Sequence, residues 1–509
     1  MRPVCAGSQE FAKRMSGIGA APVAFLNSHP GFRRRIRPVS RQDVSRRDLW
    51  VKVAALLVVG FLCFHRSFAY LGWPAHSIYL GEASLAAFLL LGPKVRRGGW
   101  IWALLRSGPL HTVAVLLGLS LVYAAFEALR GISLGYGTVA TLRGTPFNYY
   151  PLFLLWGVWA GLRGGNLIER LAHPLAWCNG VYGTAYVLFL HRLPWILPGT
   201  SAVATPVPLF GISYASAIAL LGLLSFEPNL RRVWHLIALN AFVLLGMQIR
   251  GELVGFGVGL LVLVLCTKRI KKLRSIALAA TAVVAVLAAM YVTNIRVSIQ
   301  SHDGIPGSQV SLDFIAAGLI APFDMQRAEE LAPYAAVHPS AANAAWRLSL
   351  WQSVWTAVNQ DPFRALVGLG YGYPMWDFVN PVHSSAPLQS THNDFFYALG
   401  FTGWIGAAIF VVSQFCIGRL LFRSFRVTAQ PFGLVCWSAL LTISMFEGFL
   451  EESFGAIPFY LLSGMALAPA LIFGYQSQFR PGARGSRIFR DVPGAATGNG
   501  RNPLVAFSK

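Results

Sequence analysis

Apolar runs of roughly membrane-crossing length follow one another through most of the chain, near 50–70, 76–93, 109–126, 147–162, 174–191, 209–225, 234–249, 251–267, 275–293, 394–416, 432–449 and 457–474. Each is long enough, with some tilt or a Gly/Pro break, to cross or nearly cross a hydrocarbon layer about 30 Å thick as a helix. About twelve such runs predict an all-α polytopic membrane protein with about 12 transmembrane helices. Three intervals interrupt the rhythm. Residues 1–49 form a basic tail with RRRIR from Arg33 to Arg37, expected to be disordered and cytoplasmic, and residues 475–509 form a second basic cytoplasmic tail. Between the ninth and tenth runs, residues 294–393 make one large outer (periplasmic) loop, long enough to be functional and expected to contain helices. The division is therefore nine spans in 50–293, the loop, and three spans in 394–474.

Composition agrees with the pattern. The 509 residues are 55% hydrophobic and only 12% charged, with a mean hydropathy of +0.54, which leaves no room for a soluble catalytic domain. The balance of 42 Lys+Arg against 20 Asp+Glu would suggest nucleic acid, but the charges sit between apolar runs, so no nucleic-acid partner is expected. Threading the runs alternately places the basic clusters at 94–97, 230–232, 268–274 and 418–426 on the same side as both tails, so both termini are expected in the cytoplasm and the chain in the plasma (inner) membrane. All seven lysines then lie inside, whereas the outer side carries Arg66, Arg130, Arg143, Arg192, Arg250, Arg296, Arg327, Arg347 and Arg364. Topology alone depletes both residue types. A surplus of arginine, whose planar fork grips phosphate or carboxylate, points to an oxyanion handled on that side. The six cysteines lie in the basic tail or in or beside apolar runs and form neither a disulfide framework nor a metal-ligand spacing. The short apolar stretch 18–26 reads as part of the tail rather than a cleaved leader.

Candidate chemistry centres on residues 368–406, where a polar, Gly/Pro-broken segment meets an apolar helix. Thr391 with Asp394 has capping-box spacing, which would put His392 in the first helical turn, where the partial positive charge of the helix end favours a neutral, proton-accepting imidazole. The plain alternative is a boundary histidine that only hydrogen-bonds. Upstream, residues 341–362 read as an amphipathic helix stopped at Asp361-Pro362, with Arg347, Leu350, Trp351, Val354 and Val358 on one face. An arginine on an apolar stripe needs either a bound anion or an acidic partner such as Glu447, Glu451 or Glu452. Arg250 precedes Gly251, Gly255 and Gly259, a spacing that admits close helix approach and also starts a helix suited to an anion. Arg143, with Arg130 nearby, is either a snorkelling interfacial residue or a ligand. No phosphate-binding GxxxxGK[ST] loop is present, no two aspartates stand two apart, and His383, His392 and Asp394 lack a recognised ligand spacing, so neither metal nor cofactor is expected. Transfer from a lipid-linked, pyrophosphate-activated donor needs only cations on the leaving group and a base on the acceptor.

Four segments in order, TLRGTPFNYYPLF, MQIRGELVGFGVG, WRLSLWQSVWTAV followed by GLGYGYP, and STHNDFFYALGFTGWIG, resemble the bacterial O-antigen ligase / Wzy-type O-antigen and exopolysaccharide polymerase superfamily. The last is the most specific, through His392, Asn393, Phe396, Gly403 and Gly406. The resemblance implies a GT-C-like helical body and a metal-independent, inverting membrane glycosyltransferase. It would use an undecaprenyl-pyrophosphate-linked oligosaccharide at the outer face and a glycan or lipid acceptor, and it admits membrane lipid and other polysaccharide-assembly proteins as partners. It implies pyrophosphate binding by Arg143, Arg250 and Arg347, a catalytic base at His392, and support from Arg130, His383, Asn393 and Asp394. The chain departs from the family pattern at Ile249, where a serine often stands. The competing reading is a lipid-linked glycan flippase or other polytopic transporter, which should show repeats and ionisable residues deep within spans. No repeat is evident, and Glu82, Glu127, Glu252, Glu447, Glu451 and Glu452 lie near predicted span ends.

Overall fold

The computed structural model describes residues 41–69, 80–92, 108–190, 195–196, 203–204, 211–247, 249–267, 297–299, 308–310, 325–331, 337–378 and 390–478, with isolated positions at 273–274, 277, 281 and 320. The architecture is helical: α1 (Arg41–Ala69), α2 (Leu80–Leu91), α3 (Gly108–Ser133), α4 (Thr138–Gly144), α5 (Phe153–Gly164), α6 (Leu167–Leu188), α7 (Gly211–Phe226), α8 (Trp234–Met247), α9 (Arg250–Cys266), α10 (Val337–Val358), α11 (Pro362–Val367), α12 (Asp394–Thr428), α13 (Phe432–Ser444) and α14 (Ser453–Gln478). Every expected span coincides with one of these helices except 275–293, most of which falls outside the described residues.

Three differences from expectation have plain causes. Among the described residues, only the windows Leu110–Ser133, Asp394–Thr428 and Ser453–Leu471 are long and apolar enough to cross a membrane as single helices, and six further apolar helices are shorter. The fourth expected span shows why. Pro146 and Pro151 break it into a four-residue helical turn, a 3-10 turn and the twelve residues of α5. Second, the chain is not wholly α. Antiparallel ribbons pair Trp195–Ile196 with Val203–Ala204 and Val297–Ile299 with Ser308–Val310, the latter flanking Gly304, Pro306 and Gly307. Third, α1 begins at Arg41, inside the segment expected to be a disordered tail, while residues 1–40 lie outside the described residues.

Close helix approach fixes the middle of the bundle. In α5 and α14 glycine meets backbone directly: a Cβ on Gly157 would stand 2.3 Å from the Leu461 carbonyl oxygen, and one on Gly464 2.2 Å from that of Leu154. Trp156, fully buried, stacks on Phe88 of α2 at 4.4 Å.

α12 is broken at Gly403, whose φ of 61° and ψ of −165° belong to a region open essentially to glycine. The break releases helix carbonyls, and each finds a donor elsewhere. Leu369 N–H donates to Gly400 O at 2.8 Å, Gly370 N–H to Phe401 O at 3.0 Å, and the Tyr123 hydroxyl to Thr402 O at 2.9 Å. Gly368 fits against the break so tightly that its own Cβ would lie 2.4 Å from Gly403 N.

Candidate functional site

The site forms where α12 begins. Asn393 is the N-cap: its Oδ1 accepts from Phe395 N–H at 2.9 Å and Phe396 N–H at 3.1 Å, while its Nδ2 donates to Met445 O at 2.8 Å. One side chain therefore starts the helix and pins the turn that follows α13. This corrects the expectation that Thr391 is the cap and that His392 lies in the first turn. The helix begins at Asp394, and His392 stands before it with a φ of 52°. The capping box fails because Asp394 faces inward. It is fully buried, its Oδ2 accepts from Leu450 N–H at 2.8 Å, and it ties the same turn to α12 instead of reaching back to residue 391.

A non-glycine residue at positive φ costs free energy and persists only when its surroundings hold it. Here they do. The Thr391 hydroxyl donates to Asn393 O at 2.7 Å, Trp351 Nε1–H donates to Thr391 O at 2.8 Å, and His392 N–H donates to Ser390 Oγ at 3.1 Å. The Ser390 hydroxyl in turn donates to Glu451. The imidazole, one third exposed, lies edge-on to Trp346 at 5.8 Å.

Glu447 joins the charged groups. Arg347 grips it with both terminal nitrogens, Nη1 to Oε1 at 3.1 Å and Nη2 to Oε2 at 3.4 Å, and Nη1 also donates to Phe446 O. His392 Nδ1 stands 3.8 Å from Glu447 Oε2, an ion-pair distance rather than a tight hydrogen bond. Burial alone would raise the Glu447 pKa, but the contact with His392 and the positive charge of Arg347 outweigh it and hold the carboxyl below the usual glutamate range. The acidic-partner alternative for Arg347 is thus what the structure displays. The apolar stripe is real as well: Leu350, Val354 and Val358 are fully buried.

α9 meets this group with its amino end. A Cβ on Gly251 would lie 2.9 Å from the Phe446 Cβ and 3.7 Å from the Glu447 Cγ, so the helix start at Arg250 abuts the Phe446–Glu447 turn. The Arg250 side chain itself lies outside the described residues. The glycine face also serves close packing: Gly255 meets Ile443 and Ala439, and Gly259 meets Leu221 and Ala439. Glu252, in the first turn, is buried.

The remaining sequence candidates are Arg143, Arg130 and His383. Arg143 is exposed near the end of α4, next to Gly144, whose carbonyl accepts from the Tyr397 hydroxyl at 3.2 Å, one turn into α12. Arg130 is a structural clasp, with Nε to Glu127 at 2.8 Å and Nη2 to Val367 O at 2.7 Å and Gly368 O at 3.0 Å. His383 lies outside the described residues. Sequence reasoning offered Glu447 and Glu451 only as alternative partners of Arg347, and did not single out Ser390 or Trp346. The signal available was FEGFLEES, three glutamates within six residues just past an apolar run. Among the described residues no trio of His, Cys, Asp or Glu stands close enough to hold a metal ion.

Residues 235–411 match the family model described as O-antigen ligase, a stretch that runs from α8 into α12 and contains Arg250, Arg347 and His392. No curated protein matches the chain.

Proposed function

We propose that this chain, whose residues 235–411 match the O-antigen ligase family of glycan-transferring enzymes, transfers glycan from an undecaprenyl-pyrophosphate-linked donor to a glycan or lipid hydroxyl at the outer face of the plasma membrane. Family membership, an enzymatic one, displaces the transporter reading. The observation that carries the proposal is Glu447 held between Arg347 and His392 where α9, α10 and α12 meet.

In the proposed reaction the acceptor oxygen attacks the anomeric carbon as the bond to the pyrophosphate oxygen breaks, with inversion. His392 takes the hydroxyl proton. With Nδ1 turned to Glu447, Nε2 is the nitrogen suited to do so, and the carboxylate stabilises the imidazolium that forms. Negative charge grows on the departing pyrophosphate, and guanidinium groups neutralise it without a metal. The Arg347 fork is committed to Glu447 and the Phe446 carbonyl, so it acts first by setting that carboxylate and adds charge to the site. Pyrophosphate contact then falls chiefly to Arg250, reinforced by the amino end of α9, and to Arg143. Both basic termini lie in the cytoplasm in this topology.

The test is direct: purified protein is incubated with undecaprenyl-pyrophosphate oligosaccharide and acceptor in EDTA, and transfer is read from the shift of the glycan product. Transfer should persist in EDTA and fall by about 10²–10⁴-fold in His392→Ala and comparably in Arg250→Ala. Normal turnover in both folded variants would defeat the mechanism.

A further inference from the structure

We propose that the elbow between α10 and α11, together with α4, is an interfacial anchor seated in the headgroup region of the bilayer leaflet nearest the site. Three separate ties set these segments at one height. Arg130, in the last turn of the spanning helix α3, donates to Val367 O and Gly368 O at the end of α11. The Thr141 hydroxyl of α4 donates to Tyr371 O at 3.3 Å, three residues beyond that clasp. Trp404, the first residue past the break in α12, meets Trp355 of α10 edge-on at 5.6 Å and donates from Nε1 to Asn359 Oδ1 at 3.3 Å. The ties gather at the level where α3 ends and where α12 resumes after its break at Gly403.

At that height Phe363 and Leu366 of α11, Trp355, Trp404, and Val139 and Leu142 of α4 are all exposed, from 39% for Trp404 to 67% for Val139. Six large apolar side chains at one level are not left to water. Their surroundings identify the cover. Leu129 and Ile405, the sequence neighbours of the tying residues Arg130 and Trp404, are exposed as well, on helices long and apolar enough to cross a membrane. α11 is itself two-sided. Phe363 and Leu366 share one side, while on the other Asp361 caps the helix and pairs with Arg364 at 3.2 Å. A short amphipathic helix beside tryptophans is the chemistry of a membrane–water boundary, and lipid is the occupant it fits. From this level the first nine residues of α12 rise about 14 Å to His392. The anchor therefore sets how far the site stands from the lipid surface.

The inference is independent of the reaction proposed above and is tested without turnover. Nitroxide labels are placed singly at positions 361, 363, 364 and 366 of the full chain in nanodiscs, and collision with oxygen and with a water-soluble nickel chelate is measured. Labels at 363 and 366 should collide with oxygen and be shielded from nickel, and those at 361 and 364 should show the reverse. Nickel access at 363 and 366 would mean a water-facing surface, and shielding from both reagents would mean a protein partner or second copy. Either result overturns the anchor. If the cysteine substitutions needed for labelling unfold the protein, hydroxyl-radical footprinting of the unaltered chain in nanodiscs decides. Phe363 and Leu366 should be oxidised several-fold more slowly than in the unfolded chain, and equal rates would reject the proposal.

Discussion

Glu447 turns two separated cations into one unit. Arg347, on α10, and His392, just before α12, lie 45 residues apart in sequence, yet both address the same carboxylate. Glu447→Gln keeps the size and removes the charge, so it should leave substrate affinity nearly intact while lowering kcat about tenfold or more, because the imidazolium loses its counter-charge. A change confined to KM would show that Glu447 serves binding only. Its titration supplies a second check at the same scale. The folded carboxyl is held below its ordinary value of 4.5, so the stability it contributes is complete above that value and is lost as pH falls through the lowered one. Thermal melts from about pH 6 to about pH 3 should therefore fall more steeply for the native protein than for Glu447→Gln. Parallel curves would remove Glu447 from the ion pair in solution.

At the level of elements, the break in α12 explains why two sequence segments belong together. GLGYGYP and GFTGWIG look like separate glycine-rich punctuation, but the first supplies the amides that the second leaves wanting: Leu369 and Gly370 donate to the carbonyls of Gly400 and Phe401. Arg130 then latches the first segment from α3. Gly403→Ala demands a side chain where φ is 61° and where a Cβ would stand 2.4 Å from both Gly368 N and Leu366 O. The expected loss is about 2–4 kcal/mol, read as a lower melting temperature in detergent. An unchanged melt would mean that α12 is straight in the folded protein. Spacing alone could mark these glycines, since it reports what a helix tolerates. It could not report the partner, which lies some 30 residues away and is chosen by tertiary contact. The same limit explains the cap. Thr391 and Asp394 have the right spacing, but Asn393 wins because its amide satisfies two helix N–H groups and also reaches the turn at Met445.

Across the described residues, the apolar runs other than 275–293 locate the longer helices, because burial in lipid or in neighbouring helices demands the same run of residues. They locate the breaks less well: the prolines at 146 and 151 were visible, but not that one expected span would become three short pieces. Of the site, His392 and Arg347 could be read from local pattern, whereas Glu447 reaches them because α13 returns the chain to the start of α12 and α14 packs behind the turn that follows. Assembly of the site therefore depends on helices that contribute nothing to its chemistry. α14 is the sharpest case. Gly464 presses on the Leu154 carbonyl of α5, and it lies eleven residues, about 16 Å along the helix, from Ser453, where the Glu447–Glu452 turn feeds into α14. Gly464→Val should force the helices apart and cost about 1–3 kcal/mol, lowering the melting temperature. Because the strain enters well away from the charged group, the fraction that remains folded should bind donor with unchanged KM. A raised KM in that fraction would show that the α5–α14 contact sets the geometry of the site as well as the stability of the bundle.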